Sequence, residues 1–359
     1  MTGKDQLYVF VGTYTRGNSE GIYVYRFDVA TYGWQLQSVT PDRQNPAYVA
    51  IHPNGQFLYA VNEVRDFTGA RSGAVSAFVI DEKTKSLHRL NQQASMGTGP
   101  CHLSVDPEGR CVLVANYGGG SVAMLPINED GSLQAATSFV QHEGRSVDPK
   151  RQEAPHAHNI IFDPQARFAL AADLGLDRIV IYKIDRHQWR LVQHTPPWAT
   201  LSPGAGPRHS VFHPNGRFFY VINELNSTIT VFSYDGEEGR LTALQTVTTL
   251  PEGFSDTNYC ADIHIHPSGR FLYGSNRGHD SIVSYRVDRS SGYLDLINHH
   301  STRGRTPRGF AVDPSGSFLI VANQDSDNIV AFRIDEQTGD LRQVSELDGL
   351  PTPTCVKIL

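Results

Sequence analysis

The chain is short of several things that would direct its reading elsewhere. No run approaches the roughly 18–20 apolar residues of a membrane helix, so nothing reads as a membrane span. The amino terminus, "MTGKDQLYVFVGTYTRGN", has one early lysine but no long apolar stretch and no small-residue cleavage site, which argues against a secretory signal. Cysteine is scarce: the four, Cys101, Cys111, Cys260 and Cys355, form no CxxC pair. They are expected to be free buried thiols in a reducing cytoplasm rather than disulfides or metal ligands. Basic surplus is absent too. The formal net charge is -6 at pH 7, a poor match to the positive footprint of a nucleic-acid binder. There is no GxSxG nucleophile elbow. The glycine-rich "NYGGGS" (Asn116 to Ser121) lacks the Lys-Ser/Thr and the helix of a phosphate loop. Helical periodicity is missing throughout.

What is present is a repeat. Six segments carry an (H/D)-P-x-(G/A)-x-(F/C) turn, at Pro53, Pro107, Pro164, Pro214, Pro267 and Pro314. They lie roughly 50 residues apart, a period that marks a solenoid, propeller or array. Each unit has a short apolar run, then the turn, then an aromatic and β-branched run such as "FLYAVNE" or "FFYVINE". A third apolar run follows, and then a polar fourth one suited to an outer edge. Four antiparallel strands per unit make a propeller blade. The carboxy-terminal "PTPTCVKIL" reads as a first strand, while "LYVFVGTYT" and "GIYVYRFD" read as a second and third lacking a first. Joined, they supply a seventh blade. The expectation is all-β, one domain over 1–359, a seven-bladed β-propeller closed by both termini. With few free strand edges, a monomer is expected.

The repeat also locates a site. Nine residues after each motif proline stands Asn or Asp: Asn62, Asn116, Asp173, Asn223, Asn276 and Asn323. The next residue varies: Glu63, Tyr117, Leu174, Glu224, Arg277 and Gln324. Six residues before the proline, at the start of the innermost strand, stand Ala47, Cys101, His158, Arg208, Ala261 and Arg308. Because the first two strands are antiparallel, these two sets share one end of the central channel. The repeated Asn or Asp reads as scaffold, and His52, His213 and His266 read as turn residues. The variable charged set can carry acid–base chemistry and anion binding. His156 and His158 in "PHAHN" could begin a metal site, but alternate strand residues need not converge. The insertion "VQHEGRSVDPKRQEA" precedes the His158 strand and reads either as a cover for this mouth or as a plain surface loop.

The phrases "HPxGxFLYxxNE", "VGTYT…GIYVYRFD", "GPCHLSVDPEGR", "PHAHN", "GAGPRH" and "SNRGHDSI" resemble, in order and over essentially the whole chain, the seven-bladed-propeller lactonase family. That family includes propeller-type 6-phosphogluconolactonases and the fungal 3-carboxy-cis,cis-muconate lactonizing enzyme. The resemblance implies a cofactor-free, metal-independent site at His158, Arg208, Glu224 and Arg277, with His156 as the competing histidine. It implies hydrolysis of a sugar-acid lactone, foremost 6-phospho-D-glucono-1,5-lactone, in the cytoplasm. His158 or Glu224 would be the general base, and Arg208 or Arg277 would stabilise the oxyanion. Arg308 would hold an anionic group, with Glu63, His156, Tyr117 and Gln324 as further substrate contacts. The expected partner is a small anionic lactone, with no nucleic acid and no membrane. The alternatives are a carboxymuconate cycloisomerase and a non-catalytic binding propeller.

Overall fold

β-branched and aromatic runs punctuated by His-Pro or Asp-Pro and Gly turns leave the chain little choice but short antiparallel strands. In the computed structural model, which describes residues 6–359, it forms seven four-stranded antiparallel sheets arranged as the blades of a propeller. One blade is shared by the termini: Pro353–Ile358 lies innermost, followed by Gln6–Thr13, Gly21–Asp28 and Trp34–Pro41. Both the seven blades and the joining of the termini follow the sequence reading.

Second strands such as Phe168–Asp173 and Phe218–Asn223 are buried along their whole length. Outer strands such as Leu341–Asp348 alternate towards solvent. The core therefore lies between blades. Phe168, Leu170, Ala172, Ile179 and Ile181 of one sheet interlock with Phe219, Val221, Phe232 and Tyr234 of the next. The histidines of the turn motif tie these layers together. His52, His213 and His266 each place Nε2 2.9–3.0 Å from the carbonyl of Gly109, Gly269 or Gly316 in the following blade's turn. Gly109 has φ +74°, and a Cβ there would stand 2.1 Å from the His52 ring, so this approach requires glycine. The repeated Asn is likewise structural. Asn276 and Asn323 donate from Nδ2 to the carbonyls of Thr249 and Thr302.

All four cysteines are free and buried, and burial raises each thiol above its ordinary pKa. Buried, protonated thiols are inert. A disulfide-exchange reagent is expected to find no reactive thiol in the native protein and all four after unfolding. Fast reaction of any one in the native state would contradict the packing.

Candidate active site

The innermost strands carry a device the sequence does not announce. Pro100, Ala157, Pro207 and Pro307 pair with Asn116, Asp173, Asn223 and Asn323, and the register then slips by one residue. The residues at the slip are Cys101, His158, Arg208 and Arg308. Thr354 occupies the same place in the terminal blade, opposite the shift between Gly12 and Thr13. A bulge leaves one residue unpaired and re-aims its side chain. In these five blades it turns one side chain towards the axis, and all five line the same chamber.

Three of these side chains, Cys101, His158 and Arg308, reach a cavity of about 170 Å³ whose other walls are Glu63, Tyr117, Arg151, Glu224 and Arg277. Beneath it is the narrow chamber, of about 10 Å³. Glu63, Cys101, His158 and Arg308 line both, and the floor adds Arg208, His209 and Asp262.

Glu224 is the hub. Its carboxylate accepts from Arg208 Nε at 2.9 Å, pairs with Arg277 Nη2 at 2.8 Å, and meets Arg151 on its other oxygen. Burial alone would raise its pKa. The guanidiniums of Arg277, Arg208 and Arg151 outweigh that and hold it at about 2. Arg208 is pushed down to about 10 by burial and by Arg277 and Arg308, and so stays charged at neutral pH. It also donates to the Ala261 carbonyl at 2.7 Å. Across the cavity Arg308 donates to the Tyr14 hydroxyl at 2.8 Å, which donates to Glu63 at 3.0 Å. Burial raises Glu63 above the usual carboxylate range against the pull of Arg308, and raises Tyr14 to about 12. Burial and then Arg208 hold His158 well below its ordinary value, so it is a neutral imidazole. Its Nδ1 lies 3.6 Å from the Cys101 sulfur.

Of the expected residues, His158, Arg208, Glu224, Arg277, Glu63, Arg308 and Tyr117 are brought together. Two are not. Gln324 donates to the neighbouring Asp325 at 2.8 Å and stays out of the cavity wall. His156 stacks on Tyr117 with its Nε2 3.4 Å from Glu153, outside the lining. The reading missed Tyr14, which follows Thr13 in the terminal blade as Glu224 follows Asn223. It left Arg151 open within the insertion, and the structure shows that loop reaching the site. The loop is fixed by Gln152 donating to Leu174 O at 2.9 Å and by Ser146 donating to Asp177 at 2.6 Å. Among the described residues, no group of three or more His, Cys, Asp or Glu is arranged to hold a metal ion.

A family model described as "Lactonase, 7-bladed beta-propeller" matches residues 8–358. The chain belongs to this family. Within this lactonase family, it is 38% identical to the 6-phosphogluconolactonase of Bacillus subtilis, over 98% of this chain and 97% of that protein. It is 36% identical to a 6-phosphogluconolactonase of Formosa agariphila, over 85% and 86%. Among solved structures, the periplasmic gluconolactonase of Pseudomonas aeruginosa superposes with a TM-score of 0.92 at 34% identity, covering 99% of each chain.

Proposed function

We propose that this lactonase-family chain hydrolyses 6-phospho-D-glucono-1,5-lactone to 6-phosphogluconate. The observation that carries the reading is charge. Arg151, Arg208, Arg277 and Arg308 converge on a site whose carboxylates are Glu63, Glu224 and, in the floor, Asp262. Four guanidiniums against three carboxylates leave a positive surplus suited to a phosphate and to the oxyanion of a tetrahedral intermediate. The names of the Bacillus and Formosa relatives support the substrate class.

Water adds to the ring carbonyl, the carbonyl oxygen becomes an oxyanion beside a guanidinium, and collapse breaks the ring C–O bond. Glu224, held at about 2 by three arginines, is a poor proton acceptor at neutral pH; its role is to align guanidiniums. Proton transfer falls to imidazole, and His158 faces the lactone as a neutral hydrogen-bonding wall. The reading places the enzyme in the cytoplasm, because a phosphorylated sugar does not cross membranes unaided.

The test is the initial rate on the phosphorylated lactone and on gluconolactone, each corrected for spontaneous opening. A strong preference for the phosphorylated substrate is expected. The second reading is unphosphorylated gluconolactone. It is favoured by the periplasmic gluconolactonase likeness and by the Tyr14–Glu63 pair, which suits sugar hydroxyls; activity on gluconolactone alone would establish it. Arg151, its side chain 31% exposed on the insertion loop, is assigned to the phosphate. Arg151→Ala should raise KM for the phosphorylated lactone about tenfold, roughly 1.4 kcal/mol, and narrow the preference over gluconolactone by a similar factor. An unchanged preference would move the phosphate elsewhere.

A further inference from the structure

Below the arginines lies a second constellation. His209 is buried and lines the floor chamber. Its Nδ1 is 2.8 Å from Asp262 Oδ1. Asp262 is also buried, and its carboxylate is held in place by the Ile263 and Phe310 amides at 3.0 and 3.3 Å and by His264 Nε2 at 3.2 Å. An ionised carboxylate only accepts, so Nδ1 carries the proton. The nitrogen left over, Nε2, is buried and has no hydrogen-bond partner. An unpartnered buried acceptor costs stability, so one retained in a native fold calls for a role.

We propose that His209, oriented by Asp262, is the group that takes the proton from the attacking water. This rests on the lactone-hydrolysis reading above. A comparison of the two axial histidines favours it. A protonated His158 would face Arg208 and Arg308 with no carboxylate in contact, whereas a protonated His209 would sit against Asp262. An imidazole with a carboxylate on one nitrogen and a free lone pair on the other is built to hold a proton transiently. The chamber shares four wall residues with the substrate cavity and is about the size of one water. The step balances. The water oxygen bonds to the carbonyl carbon while its proton goes to Nε2. Collapse breaks the ring C–O bond, and the imidazolium returns that proton to the departing ring oxygen. The new carboxylic acid then ionises to solvent.

His209 is surrounded by Arg208 on its own strand, Asp262, His102, His158, Tyr48 and Lys357. Burial and Arg208 push its pKa down to about 4, while Asp262 pulls it up. Removing the Asp262 charge therefore lowers it further, a shift that a merely structural carboxylate would not produce in the pH profile of turnover.

The experiment measures kcat, KM and the pH dependence of kcat/KM for the wild type, His209→Asn and Asp262→Asn, with thermal melts as folding controls. Expected are a loss of kcat of about 10²–10⁴ for His209→Asn with KM within a few-fold, and a smaller loss for Asp262→Asn. The acid limb of the Asp262→Asn profile should move to lower pH. Wild-type turnover together with His209→Asn activity within threefold overturns the inference and leaves the function standing. If His209→Asn does not fold, Asp262→Asn decides, and an unmoved acid limb overturns the proposal. A wild type inactive on both lactones defeats the functional reading, and this inference with it.

Discussion

Glu224→Gln should nearly extinguish lactone hydrolysis and should destabilise the protein, although the side chain keeps its size. The substitution leaves Arg208, Arg277 and Arg151 without the carboxylate they share. Breaking a buried ion pair by removing one partner costs about 3–5 kcal/mol, because the remaining charges stay buried and uncompensated. The three guanidiniums would repel one another out of position, and kcat/KM should fall by about 10³, the order of a lost transition-state clamp. The pH dependence provides a check. Glu224 sits at about 2 in the folded protein against an ordinary value of 4.5. A depressed folded pKa contributes stability that is present above the unfolded value and lost as pH falls through the folded one. The wild-type advantage in melting temperature should therefore be full above about pH 4.5 and fade towards about pH 2. Added sulfate should raise the melting temperature of Glu224→Gln more than that of the wild type, since an anion can replace the missing charge. Activity within tenfold of wild type and an unchanged melting temperature would refute the clamp.

The sequence was most informative where the repeat was unbroken. The recurrent prolines and their flanking strands specified the blades, and equivalence between blades singled out His158, Arg208, Glu224, Arg277, Glu63, Tyr117 and Arg308 for one mouth. Its failures have separate physical causes. Gln324 occupies a mouth position, but repeat register determines where a Cα stands, and its amide finds a nearer partner in Asp325. Tyr14 lies in the blade divided between the termini, where no proline turn precedes the second strand. Arg151 comes from an insertion that has no register to read. His209 and Asp262 were hidden by the bulges. In a regular strand, neighbours point to opposite sides, so placing Arg208 at the axis argues its successor away from it. The slip after Pro207 breaks that alternation, and both residues line the chamber.

The terminal blade links the stability of the ring to its chemistry, and a chain ended at Leu350 tests that link with a large expected effect. Such a chain lacks the strand Pro353–Ile358, which pairs with Gln6–Thr13 through Val9 with Ile358 and Val11 with Val356. Val356 and Cys355 are buried in the cores on either side. Emptying those positions and exposing the edge of Gln6–Thr13 removes several contacts, each worth about 2–5 kcal/mol, from a fold whose total margin is about 5–15 kcal/mol. The truncated chain should show no cooperative melt and should aggregate through the bared edge. The site would fail as well. Thr354 donates to the carbonyls of Ala47 and Gly12 beside the floor chamber, and Lys357 donates to the Tyr48 hydroxyl at 3.1 Å. A synthetic peptide covering residues 351–359, added during refolding, should add itself as the missing strand and restore the melt and lactone turnover together. A truncated chain that melted cooperatively without the peptide would show that six blades hold without closure. A peptide that restored the melt but not turnover would separate the ring from the site it encloses.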